Sequence, residues 1–122
     1  MSKIESVLVI DDNHFLRSDL AEILTLEGYS VITAEDGERG LQRLSENNID
    51  LIICDYNMPR LNGEQLLEQV RTTDKTRDLP FILVSATMLA ELNITHAHIF
   101  LRKPVILTDL LDTIRAFDTP GE

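Results

Sequence analysis

Hydrophobic residues follow two alternating patterns along this chain. Short apolar runs are separated by longer, more polar stretches in which leucine and isoleucine recur at helical spacing. The short runs are SVLVI (6–10), SVITA (30–34), DLIIC (50–54), PFILV (80–84) and HIFL (98–101). The pattern therefore predicts five strands, each followed by a helical segment.

Each predicted helix carries apolar residues on one face. In chain order, these residues are Leu16, Leu20, Ile23 and Leu24 before a terminating Gly28; Leu41 and Leu44; Leu66, Leu67 and Val70; a weak stretch from Met88 to Leu92; and Leu107, Leu110, Leu111, Ile114 and Phe117. We expect the fourth of these five helices to be short.

The order of elements predicts an α/β fold. The runs at 6–10, 50–54 and 80–84 are almost entirely apolar, which is typical of strands covered on both faces. Regular alternation of strands and helices favours a parallel sheet between two helix layers. With 122 residues, the chain is expected to be a single domain over 1–122, with 118–122 as a frayed tail or linker.

Charge and composition exclude several classes of partner. The net charge of −10 argues against direct binding to nucleic acid or to an acidic membrane surface. The N-terminal apolar run, Val7 to Ile10, is too short for a signal sequence or a membrane span, so we expect a cytoplasmic protein. Cys54 is the only cysteine and lies in an apolar run, where a small buried hydrophobe is expected.

Polar residues follow the predicted strands at one edge of the sheet. Asp11 and Asp12 follow the first strand, Asp55 the third, Ser85 the fourth and Lys103 the fifth. Taken singly, Asp11 or Asp12 could cap the first helix, Ser85 could cap the fourth, and Lys103 could be a solvated surface residue. Together they fall where ligands bind in parallel sheets, beyond the carboxyl ends of the strands.

This set of residues favours phosphoryl chemistry. Three neighbouring carboxylates repel one another, and an oxygen-ligated divalent cation relieves that repulsion. Mg²⁺, or alternatively Mn²⁺, suits such ligands. Lys103 and Ser85 would then face the charge of a tetrahedral oxyanion. We therefore predict that Asp55 is a nucleophile that accepts a phosphoryl group.

Four segments carry a family resemblance: VLVIDDN (7–13), LIICDYNMPRLNG (51–63), FILVSA (81–86) and FLRKP (100–104). Over essentially its whole length the chain resembles the receiver domain of two-component response regulators, and it is similar to the chemotaxis-type single-domain receivers. The resemblance implies a flavodoxin-like three-layer α/β/α sandwich with strand order 2-1-3-4-5.

The resemblance also implies a role for each matching residue. Asp55 is the expected phosphoacceptor. Mg²⁺ would be ligated by the side chains of Asp12 and Asp55, by the backbone carbonyl of Asn57, and by Asp11 through a water. Ser85 and Lys103 would contact phosphoryl oxygens.

The resemblance assigns switching and tuning roles too. Phe100 matches the aromatic switch residue that acts with Ser85. Asn57 and Thr87 match positions that tune dephosphorylation, and Pro104 is similar to a proline that follows a cis bond. The implied protein is a phosphoacceptor domain rather than an enzyme. This domain would promote its own phosphorylation and slow dephosphorylation. Its implied partners are a sensor histidine kinase or histidine phosphotransfer protein and a downstream protein, with no direct nucleic acid contact and no membrane insertion.

Other interpretations of the site remain open. The domain could be a segment of a larger response regulator or hybrid kinase. A Mg²⁺-dependent aspartyl-phosphate phosphohydrolase usually has a second acid two residues after the nucleophile, and here that position is Asn57. A flavin-binding module would need a phosphate-cradling loop after the first strand, where Asp11 and Asp12 stand instead. A pseudo-receiver would lack site residues that are present here.

The chain departs from the family pattern before the fifth strand. The stretch between Ser85 and Lys103 is shorter than the family norm by about one helical turn, and His96-Ala97-His98 replaces the usual small pair. This departure bears on the fourth helix and on the output face beside it. His96 and His98 would lie on one side of an extended segment, but no third metal ligand accompanies them, and His14 borders the acidic loop.

Overall fold

A five-stranded parallel sheet forms the centre of the molecule. The computed structural model describes residues 4–86, 97 and 99–118. Its strands are β1 (Ser6–Ile10), β2 (Ser30–Ala34), β3 (Leu51–Asp55), β4 (Phe81–Ser85) and β5 (Ile99–Arg102). Their order in the sheet is β2-β1-β3-β4-β5, and every neighbouring pair is parallel. The expected topology is confirmed.

Four helices lie within the described residues: α1 (His14–Leu26), α2 (Gly37–Glu46), α3 (Gly63–Thr72) and α4 (Leu107–Asp118). They correspond to the first three predicted helices and the last. The short helix predicted around Met88 to Leu92 lies outside the described residues, as do Thr87, His96 and His98. Among the helices that the structure describes, none has the length and apolar character needed to cross a membrane.

The sheet is buried on both faces, and alternate residues along each strand supply two separate cores. One face packs against α2 and α3 through Leu8, Ile10, Ile52, Cys54, Phe81, Leu83, Leu44, Leu66, Leu67 and Val70. The other packs against α1 and α4 through Val7, Val9, Leu51, Ile53, Ile82, Val84, Leu24, Leu110, Leu111 and Ile114. All residues of β3 and β4 are buried, as their continuous apolar runs predict. Cys54 is fully buried, as expected.

Three strands are displaced by one residue from their predicted positions. β1 and β2 match the prediction, but β3, β4 and β5 each begin and end one residue later. The cause is hydrogen bonding beyond the apolar runs: Tyr56 N donates to Val84 O at 2.8 Å, and Lys103 N donates to Ser85 O at 2.9 Å. Asp55 and Ser85 are therefore the last residues of their strands, not the first residues of loops.

The C-terminal helix extends one residue into the segment predicted as a tail. Asp118 is the last residue of α4, and its Oδ1 accepts a hydrogen bond of 2.7 Å from Ile4 N. Residues 119–122 lie outside the described part of the chain.

The connection between β3 and α3 is closed at its base by Gly63. Gly63 N donates to Tyr56 O at 2.9 Å, and Asn62 caps α3 in a capping box with Gln65. A Cβ atom on Gly63 would lie 2.8 Å from Asp55 O, 2.9 Å from Tyr56 Cα and 2.7 Å from Leu83 Cδ1. Two of these contacts are with backbone that cannot rotate away, so glycine is required at this position.

We expect Gly63→Ala to lower the free energy of unfolding by about 1–3 kcal/mol, the usual cost of overpacking a buried site. The loss should occur although alanine is the better helix former. Urea denaturation of both proteins measures the difference, with Glu68→Ala on the exposed face of the same helix as the control. Equal stability of the two variants would contradict the close approach at Gly63.

Candidate functional site

Three carboxylates converge at the carboxyl edge of the sheet. One oxygen from each of Asp11, Asp12 and Asp55 lies within 4.8 Å of the other two. The three differ in exposure: Asp55 is 4% exposed, Asp11 is half-buried and Asp12 is exposed. The cluster is thus anchored in the protein at one end and open to solvent at the other.

The loop after β1 holds Asp11 and Asp12 in place. Asp11 N donates to Ala34 O at 3.2 Å, and Asp11 Oδ1 accepts a hydrogen bond of 2.9 Å from Asn13 N. Asn13 caps α1, since its Oδ1 accepts from Leu16 N at 3.1 Å. The alternative in which Asp11 or Asp12 caps this helix is therefore wrong, and both carboxylates remain available to the cluster.

Lys103 pairs with the buried aspartate. Its backbone continues from β5, and its Nζ lies 2.9 Å from Asp55 Oδ1. The Lys103 side chain is only 27% exposed, so the interpretation of this residue as a solvated lysine is wrong. The Lys103–Pro104 bond is cis, as the family resemblance implies. Sequence reasoning assigned Lys103 only to phosphoryl oxygens and did not foresee its direct contact with Asp55.

Burial and mutual repulsion shift the acid–base properties of this cluster. Burial raises the pKa of Asp55, and the charges of Asp11 and Asp12 raise it further against the hydrogen bond from Lys103. Burial likewise raises the pKa of Asp11, opposed by the hydrogen bond from Asn13 N. For Lys103, burial acts to lower the pKa, but the hydrogen bond and charge of Asp55 outweigh it, and the pKa is raised. The cluster is therefore a place where added positive charge is favoured.

The donor set fits a hard divalent cation. Carboxylate oxygens are the ligands that Mg²⁺ takes in proteins, where it usually keeps several waters in its coordination shell. The exposed side of the cluster leaves room for those waters. Asn57, whose backbone carbonyl the family resemblance implies as a further ligand, is exposed in the loop that follows β3.

Ser85 and Phe100 lie on neighbouring strands beside the cluster. Ser85 ends β4 and is fully buried. Phe100 is half-buried in β5, directly across from Leu83, and packs against the core on the α2–α3 side. The structure thus brings Asp11, Asp12, Asp55, Ser85 and Lys103 to one edge, as the sequence predicts, and it places Phe100 two residues below that edge.

An apolar groove between α1 and α4 continues from the acidic edge. Its volume is about 590 Å³, and its walls include Leu16, Leu20, Ile23 and Leu107 together with Asp55 and Lys103. Leu24 is fully buried, whereas Leu16 on the same predicted face is 48% exposed. The helical period predicted this apolar face of α1, but it gave no sign that the face borders an open groove.

A parallel sheet of this order, with an acidic cluster and a lysine at its carboxyl edge, is typical of the flavodoxin-like class of α/β proteins. Comparison with known proteins agrees. Residues 7–115 match the model of the response regulator receiver domain. The chain is 34% identical to the response regulator MprA of Mycobacterium sp. (strain KMS) over 114 residues, which cover 90% of this chain and 49% of MprA.

A sensor kinase is also similar to part of the chain. The sensor histidine kinase RcsC of Escherichia coli (strain K12) is 42% identical over 85 residues, which cover 70% of this chain and 9% of RcsC.

Solved structures show the same similarity. Chemotaxis protein CheY4 of Vibrio cholerae has a TM-score of 0.86 at 28% identity, covering 93% of this chain and 98% of CheY4. The response regulator TrrA of Thermotoga maritima, solved in complex with Mg²⁺ and BeF, has a TM-score of 0.83 at 30% identity, covering 93% of this chain and 98% of TrrA.

The chain belongs to the response regulator receiver domain family. It is thus a phosphoacceptor signalling domain of the two-component type. Receiver domains of response regulators are phosphorylated by histidine kinases, act on downstream targets and bind Mg²⁺ at an acidic pocket. The chain spans about half the length of the first curated relatives that it matches.

The raised pKa of Asp55 predicts how the stability of Asp55→Asn changes with pH. A carboxyl whose pKa is higher in the folded state stabilises the fold below its unfolded pKa, and this contribution is lost as pH rises through the folded pKa. Asparagine has no such ionisation. In metal-free buffer, the stability of Asp55→Asn relative to wild type should therefore increase from acidic to neutral pH.

Urea denaturation with EDTA, at several pH values across the carboxylate range, measures this difference. Asp74→Asn is the matched control, because the Asp74 side chain is 98% exposed and is solvated whether the protein is folded or not. If the stability of Asp55→Asn relative to wild type did not change with pH, or fell as pH rose, this result would contradict an energetic cost of ionising Asp55.

Proposed function

We propose that Asp55 accepts a phosphoryl group from the phosphohistidine of a sensor histidine kinase or histidine phosphotransfer protein, and that the phosphorylated domain controls a downstream protein. The observation that carries this proposal is the convergence of Asp11, Asp12 and Asp55 within 4.8 Å, with Lys103 Nζ 2.9 Å from Asp55 Oδ1. Asp55 is a buried carboxylate with a cation and two further acids beside it. An anionic group can be accepted there only if positive charge offsets the repulsion between the negative charges.

The transfer is a displacement at phosphorus. A carboxylate oxygen of Asp55 forms the new P–O bond while the P–N bond to the donor imidazole breaks. The imidazole nitrogen keeps the bonding electrons and takes up a proton, and Asp55 becomes an acyl phosphate. The Lys103 ammonium, whose contact with Asp55 Oδ1 supports this role, would neutralise charge on a phosphoryl oxygen.

The metal ligands that we propose are the side chains of Asp12 and Asp55, the backbone carbonyl of Asn57, and Asp11 through a water. Mg²⁺ suits them best, with Mn²⁺ as the alternative. A bound cation would supply positive charge that offsets the negative charge gathering at this site during transfer. The related response regulator TrrA was solved in complex with Mg²⁺ and BeF, and this supports the assignment.

The switch that we propose uses Ser85 and Phe100. The Ser85 hydroxyl would donate a hydrogen bond to a phosphoryl oxygen, and Phe100 would repack on the adjacent strand in response. The register supports this pairing, since Phe100 lies across from Leu83, two residues before Ser85. Asn57 and Thr87 are proposed to tune dephosphorylation, and the domain is a phosphoacceptor that promotes its own phosphorylation and slow dephosphorylation rather than an enzyme.

The setting of the domain in its protein is also a proposal. We propose a single receiver domain over residues 1–122 that acts in the cytoplasm and does not bind nucleic acid itself. This domain is compatible with the alternative of a receiver segment within a larger response regulator or hybrid kinase, which its relatives support: the match covers 49% of MprA and 9% of RcsC.

Phosphorylation is tested by incubating the protein with acetyl phosphate and Mg²⁺ and weighing it by intact-protein mass spectrometry. Wild type and the control Asp74→Asn should each gain the mass of one phosphoryl group, and Asp55→Asn should gain none. EDTA should abolish the gain in every sample. Labelling of Asp55→Asn at the wild-type level would overturn the assignment of the phosphoacceptor.

Metal binding is tested by thermal unfolding with and without Mg²⁺. Wild type should be stabilised by about 2.7 kcal/mol when Mg²⁺ is at one hundred times its dissociation constant. Asp12→Asn should lose most of this stabilisation but be at least as stable as wild type in EDTA, because it removes one of three repelling carboxylates. Asp74→Asn should behave as wild type. A full Mg²⁺ response in Asp12→Asn would contradict its role as a ligand.

A further inference from the structure

Arg60 has an unusual backbone conformation in the loop that follows the phosphoacceptor. Its φ angle is 67°, and among the residues that the structure describes it is the non-glycine residue with a positive φ. Residues with a Cβ atom rarely adopt this left-handed region, because the Cβ atom then lies too close to the following carbonyl oxygen. Such a conformation persists where surrounding contacts hold it, and it often occurs next to functional sites.

The contacts that hold Arg60 lie at the N-terminus of α2. One guanidinium nitrogen lies 2.9 Å from Asp36 Oδ2, and Nε lies 3.8 Å from Glu38 Oε1. The other oxygen of Asp36 caps α2 by accepting a hydrogen bond of 2.8 Å from Arg39 N. The Asp36 side chain is only 14% exposed, so water competes little for its carboxylate.

A second contact joins the same two segments. A Cβ atom on Gly37 would lie 2.7 Å from Leu61 Cδ2, which shows how closely the loop side chain packs on the first turn of α2. The loop over 56–62 is therefore fixed at three places: at its base by Gly63 N and Tyr56 O, and at its tip by Arg60 and Leu61.

The turn between β2 and α2 is tied to two loops that carry residues of the proposed site. Ala34 O accepts a hydrogen bond from Asp11 N, so this turn is tied to the loop that carries Asp11 and Asp12. Two residues later, Asp36 is tied to the loop that carries Asn57. The turn thus sets the position of one loop relative to the other.

We infer that Arg60 is a positioning residue for the metal site, and that its ion pair with Asp36 holds the 56–62 loop, which carries the proposed ligand Asn57, in place relative to the carboxylates. The inference rests on the proposed Mg²⁺ site and names a residue outside the ligand set. The Arg60 side chain is 62% exposed, so solvent screens its side of the ion pair and the pair contributes little to folding stability. The effect of this pair is therefore expected on metal affinity rather than on folding.

Two charge-removing substitutions separate positioning from simple electrostatics. Asp36→Asn removes a negative charge but keeps the helix cap, because asparagine is as good an N-cap as aspartate. Arg60→Met removes a positive charge and keeps a long side chain. If the pair acted only through its electric field, Asp36→Asn would weaken Mg²⁺ binding and Arg60→Met would tighten it. A positioning role predicts that both weaken it.

Isothermal titration calorimetry with Mg²⁺ alone, at constant ionic strength, gives the dissociation constants. Both variants should bind about tenfold more weakly than wild type, the lower end of what loss of an outer ligand-supporting contact costs. The double variant should be no worse than either single variant, because the same interaction is lost. Arg60→Lys should recover part of the affinity.

Asp74→Asn and Arg77→Ala are the control variants. Each breaks an exposed ion pair of 3.8 Å that lies beyond the C-terminal end of α3, and each should leave the Mg²⁺ affinity unchanged. Arg60→Gly adds a second check, since glycine accepts the positive φ without strain, and it should still bind weakly. Opposite shifts for Asp36→Asn and Arg60→Met, or no shift in either, would overturn the inference. Absence of Mg²⁺ binding by wild type would instead overturn the proposed function.

Discussion

The burial of a carboxylate at the end of β3 is the constraint around which this site is organised. Asp55 is 4% exposed, and removing a charge from water costs several kcal/mol unless it is paired. The pairing cation comes from the far side of β4, because Lys103 follows β5 and reaches Asp55 Oδ1 at 2.9 Å. The order of strands in the sheet therefore also brings a cation to the buried carboxylate.

Lys103 by itself does not balance the acids at this edge. Asp11 and Asp12 add negative charge next to Asp55, and burial raises the pKa of both Asp11 and Asp55. This imbalance favours whatever brings positive charge to the edge. The three carboxylates thus carry an electrostatic cost that a bound cation would relieve.

The two sides of the acidic cluster differ in how closely the neighbouring elements pack. On one side, Gly63 lets α3 approach the backbone of Asp55, and Arg60 holds the intervening loop against α2. On the other side, α1 and α4 leave an apolar groove of about 590 Å³ that Asp55 and Lys103 also line. The loop side is therefore closely packed, whereas the groove side is open.

The sequence by itself determined the fold class, the exact bounds of two strands, and which carboxylates form the acidic cluster. It could do so because apolar runs and the βα order are local features. It misplaced β3, β4 and β5 by one residue, since Asp55 and Ser85 resemble loop residues until their ladder hydrogen bonds are seen. Only the tertiary structure decided that Lys103 pairs with Asp55 and that Arg60 reaches Asp36. These contacts join residues far apart in the chain, and such distances depend on strand register and helix packing, which no local pattern of hydrophobic residues records.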